Sequence, residues 1–224
     1  MEPRYSRRGP FVKGFAGTAR GAILAADGQR GSSVLPHDAT ALIGLDWGTT
    51  RLRAYRVAAD GTVLERRSRD AGILKVEGGD FAGTLTATAG DWLTADPAPP
   101  VLASGMIGSR QGWREVPYVP CPAGLPELVA GIRSVAAPSG HTVRLVPGLS
   151  SAGTDGGFPD VMRGEETQVM GLLESAPGLA SRCCVLPGTH SKWVWTEAGR
   201  IVAFATWMTG ELYELVTRHG ILGR

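Results

Sequence analysis

The chain has 224 residues, of which 43% are hydrophobic and 20% are charged, and its formal net charge at pH 7 is +2. This composition is typical of a globular protein with a sizeable core and one or two domains. Beyond position 40 the basic and acidic residues nearly balance, which argues against a nucleic-acid partner. No apolar run approaches the roughly 20 residues of a membrane helix, so we expect no membrane partner.

Residues 1–40 are rich in Gly, Ala, Arg and Ser and lack a periodic apolar pattern, so we expect a disordered extension. The chain has three cysteines, an odd number, and Cys183 and Cys184 are adjacent, which is not the pattern of a disulfide framework. Reduced thiols are typical of the cytoplasm, and the sequence therefore predicts a cytoplasmic location.

The first strong signal is an apolar run, residues 42–45, that ends in Asp46 and turns at Gly48, Thr49 and Thr50 into a second strand-like run. Glycine lets the backbone come close to a ligand, and the three amides of this turn can converge on an anion. Asp46 supplies a hard oxygen that suits Mg²⁺, usually through water. The pattern predicts a site for a nucleotide polyphosphate with its metal; the alternative is an ordinary hairpin with a polar turn.

The next elements are a helix over residues 80–94, capped by Asp80, and a short buried strand over 101–103. Strands that alternate with a crossover helix favour a mixed α/β sheet, whose ligands gather at the carboxyl ends of strands. The loop after this strand has side chains that suit a polyhydroxy acid, namely Ser109, Arg110, Gln111 and Trp113. Arg110 can hold a carboxylate through two parallel hydrogen bonds; the alternative is a surface loop with a structural arginine.

Residues 117–122 must be extended, because consecutive X-Pro steps disfavour helix. A helix over 125–134 and a strand over 143–149 are predicted to follow. An acidic cluster then marks the start of a predicted helix over 160–174.

The acidic cluster has two interpretations. Carboxylates in a first helical turn favour the positive end of the helix dipole, which by itself explains Glu165 and Glu166. Phosphoryl transfer to a hydroxyl group, however, needs a carboxylate to accept the proton of that hydroxyl. The candidates for that base, or for a Mg²⁺ contact, are Glu165, Glu166 and Asp160.

A second copy of the hairpin lies 140 residues after the first, with its Gly-Thr turn at Gly188. The distance from the first to the second glycine turn is 13 positions in one copy (Gly48 to Gly61) and 11 in the other (Gly188 to Gly199). Two such hairpins that face each other would clamp a phosphate chain from both sides. The second turn offers hydroxyl groups, amides and one cation to the β- and γ-phosphates, from Gly188, Thr189, Ser191 and Lys192. A last helix, residues 212–219, is predicted after a Thr209 cap.

Four segments taken in order resemble the 2-keto-3-deoxygalactonate kinase family: residues 46–50, 105–113, 160–168 and 186–193. The likeness covers about residues 42–224. Its members are sugar-acid kinases of the actin/hexokinase/Hsp70 superfamily. The resemblance implies a duplicated ribonuclease H-like (actin-like ATPase) α/β fold with mixed sheets and flanking helices. Residues 41–155 would form the first lobe with the substrate loop, and residues 156–224 the start of a second lobe.

The resemblance also implies phosphorylation of 2-dehydro-3-deoxy-D-galactonate at O6, with ATP and Mg²⁺, in galactonate or galactose breakdown. It favours Glu165 as the base, because related sugar kinases place an acid after a glycine at the head of the corresponding helix. Family members run well past position 224, so we expect a truncated second lobe whose unpaired sheet edge would favour a homo-oligomer. The alternatives are the same chemistry on another sugar or sugar acid, and a fragment that binds sugar acid without transferring phosphate.

Overall fold

The computed structural model describes residues 39–94, 98–137, 140–153, 157–175 and 181–223. The predicted extension therefore lies, up to position 38, outside the described residues. The strands in chain order are β1 (Leu42–Trp47), β2 (Leu52–Val57), β3 (Val63–Arg69), β4 (Val101–Ser104), β5 (Val119–Pro120), β6 (Arg133–Ala136), β7 (Thr142–Leu145), β8 (Leu149–Ser151), β9 (Asp160–Met162), β10 (Ser181–Leu186), β11 (His190–Glu197) and β12 (Arg200–Met208). The helices are α1 (Phe81–Ala89), α2 (Leu125–Gly131), α3 (Glu165–Ser175) and α4 (Gly210–His219). Within the described ranges, none of these helices is long and apolar enough to cross a membrane.

The strands form three sheets, so the mixed α/β class is confirmed. The main sheet has the order β3-β2-β1-β4-β7-β6, in which β1, β4 and β7 run parallel and the other neighbours pair antiparallel. A second sheet is the antiparallel meander β10-β11-β12. A small third sheet has the order β5-β8-β9.

Strand β1 lies inside the main sheet and is buried on both faces. Because side chains alternate across a strand, Ile43, Leu45 and Trp47 share one face, where they are fully buried in the cluster that includes α1. Leu42 belongs to a second cluster. Asp46, an even-numbered position like Leu42, is directed to this second face at the carboxyl end of the strand. The buried strand therefore fixes the position of its terminal carboxylate.

The helix predicted over residues 80–94 begins where expected. The Asp80 carboxylate accepts a hydrogen bond of 2.8 Å from the Gly83 amide, which satisfies one of the unpaired donors of the first turn. The α-helix ends at Ala89, and a 3₁₀ segment, Gly90–Thr94, continues its path. The apolar spacing therefore identified one amphipathic segment but not the change in its helical type.

Two other helices are shorter than predicted. The helix expected over residues 125–134 ends at Gly131, because the chain then forms β6 and pairs its backbone with β7. The helix expected over 160–174 begins only at Glu165, because β9 pairs with β8 before it. Gly164 between them has a φ of 110°, which is incompatible with a helix.

The internal repeat consists of two antiparallel meanders, β1-β2-β3 and β10-β11-β12, and it includes the segment that follows each of them. After β3 the chain returns to the first turn, where the Gly72 amide donates to the Thr50 carbonyl over 3.0 Å. After β12 it returns to the second turn, where the Gly210 amide donates to the Gly188 carbonyl over 3.2 Å. In both copies the returning segment therefore closes over the backbone of the Gly-Thr turn.

The closing contacts of the two copies correspond. The Ile73 amide donates to the Gly48 carbonyl as the Gly210 amide does to the Gly188 carbonyl, over 3.0 and 3.2 Å. Gly61 to Ile73 is 12 positions and Gly199 to Gly210 is 11, so the returning segments differ by one residue. The two meanders are thus the same structural unit, which the repeated Gly-Thr turns predicted.

Replacement of Gly72 by Ala should destabilise the fold. A Cβ at this position would lie 2.3 Å from backbone atoms of Thr50, although the φ of −65° is open to any residue. We expect a loss of about 3 kcal/mol in the free energy of unfolding, measured by urea denaturation. Gly124→Ala is the control, since its nearest neighbours lie at 3.4 Å. Equal stability of the two variants would contradict the close contact at the first turn.

Candidate active site

Asp46 is the penultimate residue of β1 and pairs with Arg53, its register partner on β2. An Nη1 hydrogen of Arg53 is donated to Asp46 Oδ2 over 2.7 Å. Burial raises the pKa of Asp46, while the hydrogen bond and charge of Arg53 and the charge of Arg66 oppose that rise. The side chain keeps 20% of its surface exposed, so the carboxylate is both oriented by Arg53 and reachable from solvent. Arg53 was not predicted from the sequence.

The first turn offers two amides to a ligand rather than three. The Gly48 amide donates to the Arg51 carbonyl over 3.0 Å and so closes the turn itself. Thr49 and Thr50 are exposed, and within the described residues their amides have no backbone acceptor. An anion beside this turn would therefore meet the amides of Thr49 and Thr50, with Asp46 at the end of the adjoining strand.

Ser104 at the end of β4 connects Asp46 to the acidic cluster. It is the register partner of Asp46 in the parallel pair β1–β4. The fully buried Ser104 hydroxyl donates to Glu166 Oε1 over 3.2 Å and lies 2.7 Å from the Thr167 hydroxyl. The first turn of α3 therefore lies directly against the carboxyl end of β4, next to the end of β1. Ser104 and Thr167 were missed at the sequence level.

Glu166 is buried completely and uses both carboxylate oxygens within the protein. Oε2 accepts from the Gly164 amide over 2.6 Å, and Oε1 accepts from Ser104 and from the Thr167 hydroxyl at 3.1 Å. Burial, with the nearby charge of Glu165, raises the pKa of Glu166 to about 7, against the weaker opposing effect of its hydrogen bonds. Glu166 thus anchors α3 and has no oxygen directed to a substrate.

Glu165 occupies the first position of α3 and is only partly buried. Its Oε2 accepts a hydrogen bond of 3.1 Å from the backbone amide of Arg163. Of the two neighbouring acids, Glu165 is therefore the one that a substrate can reach.

Asp160 is not part of this group of acids but of a separate polar cluster between β9 and the second meander. Its Oδ1 lies 3.7 Å from Lys192 Nζ, and its Oδ2 accepts from the Thr206 hydroxyl over 2.6 Å. Lys192 Nζ also donates to the Val161 carbonyl over 2.8 Å and to the Thr206 hydroxyl. Lys192 is 8% exposed, so its charge is paired with Asp160 inside the fold.

The second turn is exposed at Gly188 and Thr189, as its proposed role requires. Ser191 lies within β11, where it is 4% exposed and its hydroxyl faces the Trp207 carbonyl at 3.5 Å. Next to the turn, His190 Nε2 lies 2.6 Å from Glu211 Oε2. Thus Gly188 and Thr189 are presented to solvent, and Ser191 and Lys192 are not.

The loop after β4 forms a compact turn rather than an open arm. Trp113 donates its amide to the Ile107 carbonyl over 2.9 Å and stacks on Phe81 with ring centroids 6.1 Å apart. Arg110 is 87% exposed and lies 3.6 Å from Glu115, so it is oriented outward, and Gln111 is also exposed. The Ser109 hydroxyl is buried. The four predicted residues are adjacent, but they do not all face one point.

Arg163 is a further polar residue here, and it was not predicted from the sequence. Its Nη2 donates to the Val116 carbonyl over 2.8 Å, and its guanidinium lies 4.3 Å from the centroid of the Tyr118 ring. The only sequence signal was its position directly before the Gly-Glu pair.

The donor set suits a Mg²⁺ ion held mainly by water and phosphate. Across the described ranges, no cluster of three or more His, Cys, Asp or Glu could by itself hold a metal. The reachable carboxylate of Asp46 agrees with this, because Mg²⁺ usually keeps several waters and binds through one or two carboxylates plus substrate phosphates.

Comparison with known proteins assigns these features to one family. The family described as 2-keto-3-deoxy-galactonokinase matches residues 46–224. A probable 2-dehydro-3-deoxygalactonokinase of Rhizobium meliloti is 41% identical over 182 residues, and a 2-dehydro-3-deoxygalactonokinase of Escherichia coli is 38% identical over 181 residues. These alignments cover 80% and 81% of the chain.

A crystal structure of a Sinorhizobium meliloti protein, provisionally assigned as a 2-dehydro-3-deoxygalactonokinase, is also similar. It superposes with a TM-score of 0.70 at 37% identity, over 81% of this chain and 59% of that one. The chain spans 56% and 58% of the lengths of the two sequence relatives.

Replacement of Glu166 by Gln should remove a pH dependence from the stability. The pKa of Glu166 is about 7 in the fold against an ordinary 4.5, so the folded protein keeps a proton that the unfolded chain releases. This contribution is fully present below about pH 4.5 and is lost as the pH rises through 7. Relative to Glu166→Gln, the wild type should lose on the order of 3 kcal/mol of unfolding free energy over that interval.

Urea denaturation at a series of pH values measures this difference. Glu174→Gln, an exposed position on the same helix, should follow the wild-type curve. Parallel curves of unfolding free energy against pH for the wild type and Glu166→Gln would show that burial does not raise the pKa of Glu166.

Proposed function

The chain belongs to the 2-keto-3-deoxy-galactonokinase family, and from that premise we propose that it transfers the γ-phosphoryl group of ATP to O6 of 2-dehydro-3-deoxy-D-galactonate. The reaction would serve the breakdown of galactonate or galactose, with a small sugar acid as the partner. The observation that carries the proposal is the meeting of Asp46, Ser104 and the head of α3 beside a turn with two available amides.

We further propose that the fold is ribonuclease H-like, of the actin-like ATPase type, with two lobes over residues 41–155 and 156–224. Two observations support this. The order β3-β2-β1-β4-β7 joins an antiparallel meander to parallel strands, and the β10-β11-β12 meander repeats the first unit with its returning segment. On this interpretation the hydrogen bond from Ser104 to Glu166 joins the lobes.

The nucleotide would bind between the two turns. The amides of Thr49 and Thr50 would contact its phosphates from one side, and the exposed Gly188 and Thr189 from the other. Asp46 would hold Mg²⁺ through water, and the ion, when bound, would neutralise phosphoryl charge. Contacts of Ser191 and Lys192 with phosphate stay predictions, because both side chains have partners inside the fold.

The sugar acid would bind at the loop that follows β4, with Glu165 as the base that accepts the proton of its attacking hydroxyl. Support for Glu165 over Glu166 is its partial exposure and its single backbone hydrogen bond, from Arg163. Glu166 would instead hold the head of α3 against Ser104. Catalysis would then rest on positioning and on charge neutralisation at the phosphoryl group.

The test of the proposal is an assay of ADP release by the 224-residue chain with ATP and Mg²⁺. 2-Dehydro-3-deoxy-D-galactonate should give the highest kcat/KM in a panel of sugars and sugar acids. A higher kcat/KM for another acid would support the proposed phosphoryl transfer but identify a different substrate. Binding of the acid without ADP release would favour a non-catalytic binding function, and neither binding nor release would refute the proposal.

Glu165→Gln should abolish turnover and leave binding intact. Loss of a general base lowers kcat by roughly 10²- to 10⁴-fold, and the amide is close in size and shape to the carboxylate. Steady-state ADP release measures kcat, and calorimetric titration with the sugar acid measures binding. Glu174→Gln, exposed at the other end of α3, should behave as the wild type. Retained turnover in Glu165→Gln would eliminate this residue as the base.

Asp46→Asn should weaken binding of Mg²⁺ with ATP, because the amide lacks the charge that attracts the hydrated ion. We expect a loss of about tenfold or more in affinity, since each tenfold change corresponds to about 1.4 kcal/mol. Titration calorimetry with Mg²⁺ and an unreactive ATP analogue measures this without turnover. Asp91→Asn, which removes an exposed charge paired with Arg67, is the matched control. Unchanged affinity in Asp46→Asn would exclude a metal contact at this position.

A further inference from the structure

The guanidinium of Arg163 is a half-buried cation with unused donors. Nε and Nη1 are shielded from solvent and, within the described residues, have no hydrogen-bond acceptor. Only Nη2 is bonded, to the Val116 carbonyl. Buried side-chain donors in folded proteins are almost always paired, so two orphaned nitrogens on one guanidinium call for a functional explanation.

Among the residues that the structure describes, Arg163 also lacks an anionic partner. The ion pairs found across the described ranges do not include it, and its hydrogen bond to Glu165 comes from the backbone amide rather than the guanidinium. The Tyr118 ring supplies a π-face to the cation but no charge. A buried charge without a counter-ion is costly, and such a site is well suited to bind an anion.

The surroundings of Arg163 identify the anion that the site would take. Nη1 lies against Gly108, where an added Cβ would come within 2.8 Å of it. The neighbouring Ser109 hydroxyl is likewise buried, with no hydrogen-bond partner in the described part of the chain. Arg163 is two residues from Glu165 along the chain. The orphaned donors thus lie between the loop after β4 and the proposed base.

We infer that Arg163, rather than Arg110, holds the carboxylate end of the sugar acid. A 2-keto acid presents a carboxylate and an adjacent carbonyl oxygen, which together offer acceptors for Arg163 and Ser109. Arg110, the residue that the sequence favoured, is 87% exposed and already faces Glu115. Because the two nitrogens of Arg163 are shielded from solvent, the loop that follows Gly108 must shift outward to admit the acid.

This inference rests on the proposed function, and a direct binding measurement separates the two. The probes are 2-dehydro-3-deoxy-D-galactonate and its primary amide, each titrated into the 224-residue chain without ATP. Arg163→Met should weaken binding of the acid about 100-fold and of the neutral amide much less, because charge-assisted hydrogen bonds are lost only with the acid. Arg163→Lys, which keeps the charge but loses the planar fork, should lose about tenfold.

Gly108→Ala displaces the guanidinium without removing it and should also weaken binding of the acid. Arg114→Met is the matched control, since this exposed guanidinium donates to the Ser134 carbonyl, and it should bind as the wild type. Melting curves establish that each variant is folded; should Arg163→Met fail to fold, the Lys and Gly108→Ala variants decide the question.

The outcomes are distinct. Wild-type affinity in Arg163→Lys and Gly108→Ala, or a large loss in Arg110→Met instead, would overturn the assignment even if the chain is an active kinase. Discrimination between acid and amide that depends on Arg163 would support it even if no phosphate is transferred. Failure of the wild type to bind the acid would refute both the assignment and the proposed function.

Discussion

The close approach of three backbone segments at Gly105 is the constraint on which the site depends. A Cβ on Gly105 would lie 2.9 Å from the Trp47 carbonyl, and a Cβ on Gly164 would lie 3.3 Å from the Cα of Gly105. Both glycines have a positive φ, which other residues rarely adopt. Side chains here would push apart the end of β1, the end of β4 and the head of α3. With glycine in both places, Ser104 reaches Glu166, and the acids of α3 lie next to the end of the strand that contains Asp46.

The same contact explains the different surroundings of two adjacent glutamates. Glu166 is directed into the junction, where burial raises its pKa and its oxygens are used by Ser104, Thr167 and Gly164. Glu165 remains partly exposed at the first position of the helix. If Glu165 is the base, as proposed, the buried Glu166 would give it a fixed location without occupying its carboxylate oxygens.

Much of this architecture could be predicted from the sequence, because it depends on local patterns. The strand that ends in Asp46, the Gly-Thr turns, the Asp80 cap and the mixed α/β class all follow from apolar alternation, glycine placement and capping chemistry. The helix limits at residues 131 and 165 could not be predicted so well, because pairing with distant strands ended or delayed those helices.

The partners of charged side chains inside the fold also could not be predicted from the sequence. Lys192 follows the second turn and looked free to contact phosphate, yet the third sheet brings Asp160 to it. Arg163 carried no motif of its own, and its unused donors became evident only from the packing of Gly108 and Tyr118 around it. Such pairings join segments that are far apart along the chain, so the local spacing of residues does not predict them.

The most direct test of the account is a crystal structure of the chain with Mg²⁺ and an unreactive ATP analogue. The account predicts that the phosphates lie between the turns at Thr49 and Thr189, with the metal beside Asp46 and the γ-phosphate facing Glu165. Phosphates bound away from both turns, or turns that open toward different sides of the molecule, would contradict it.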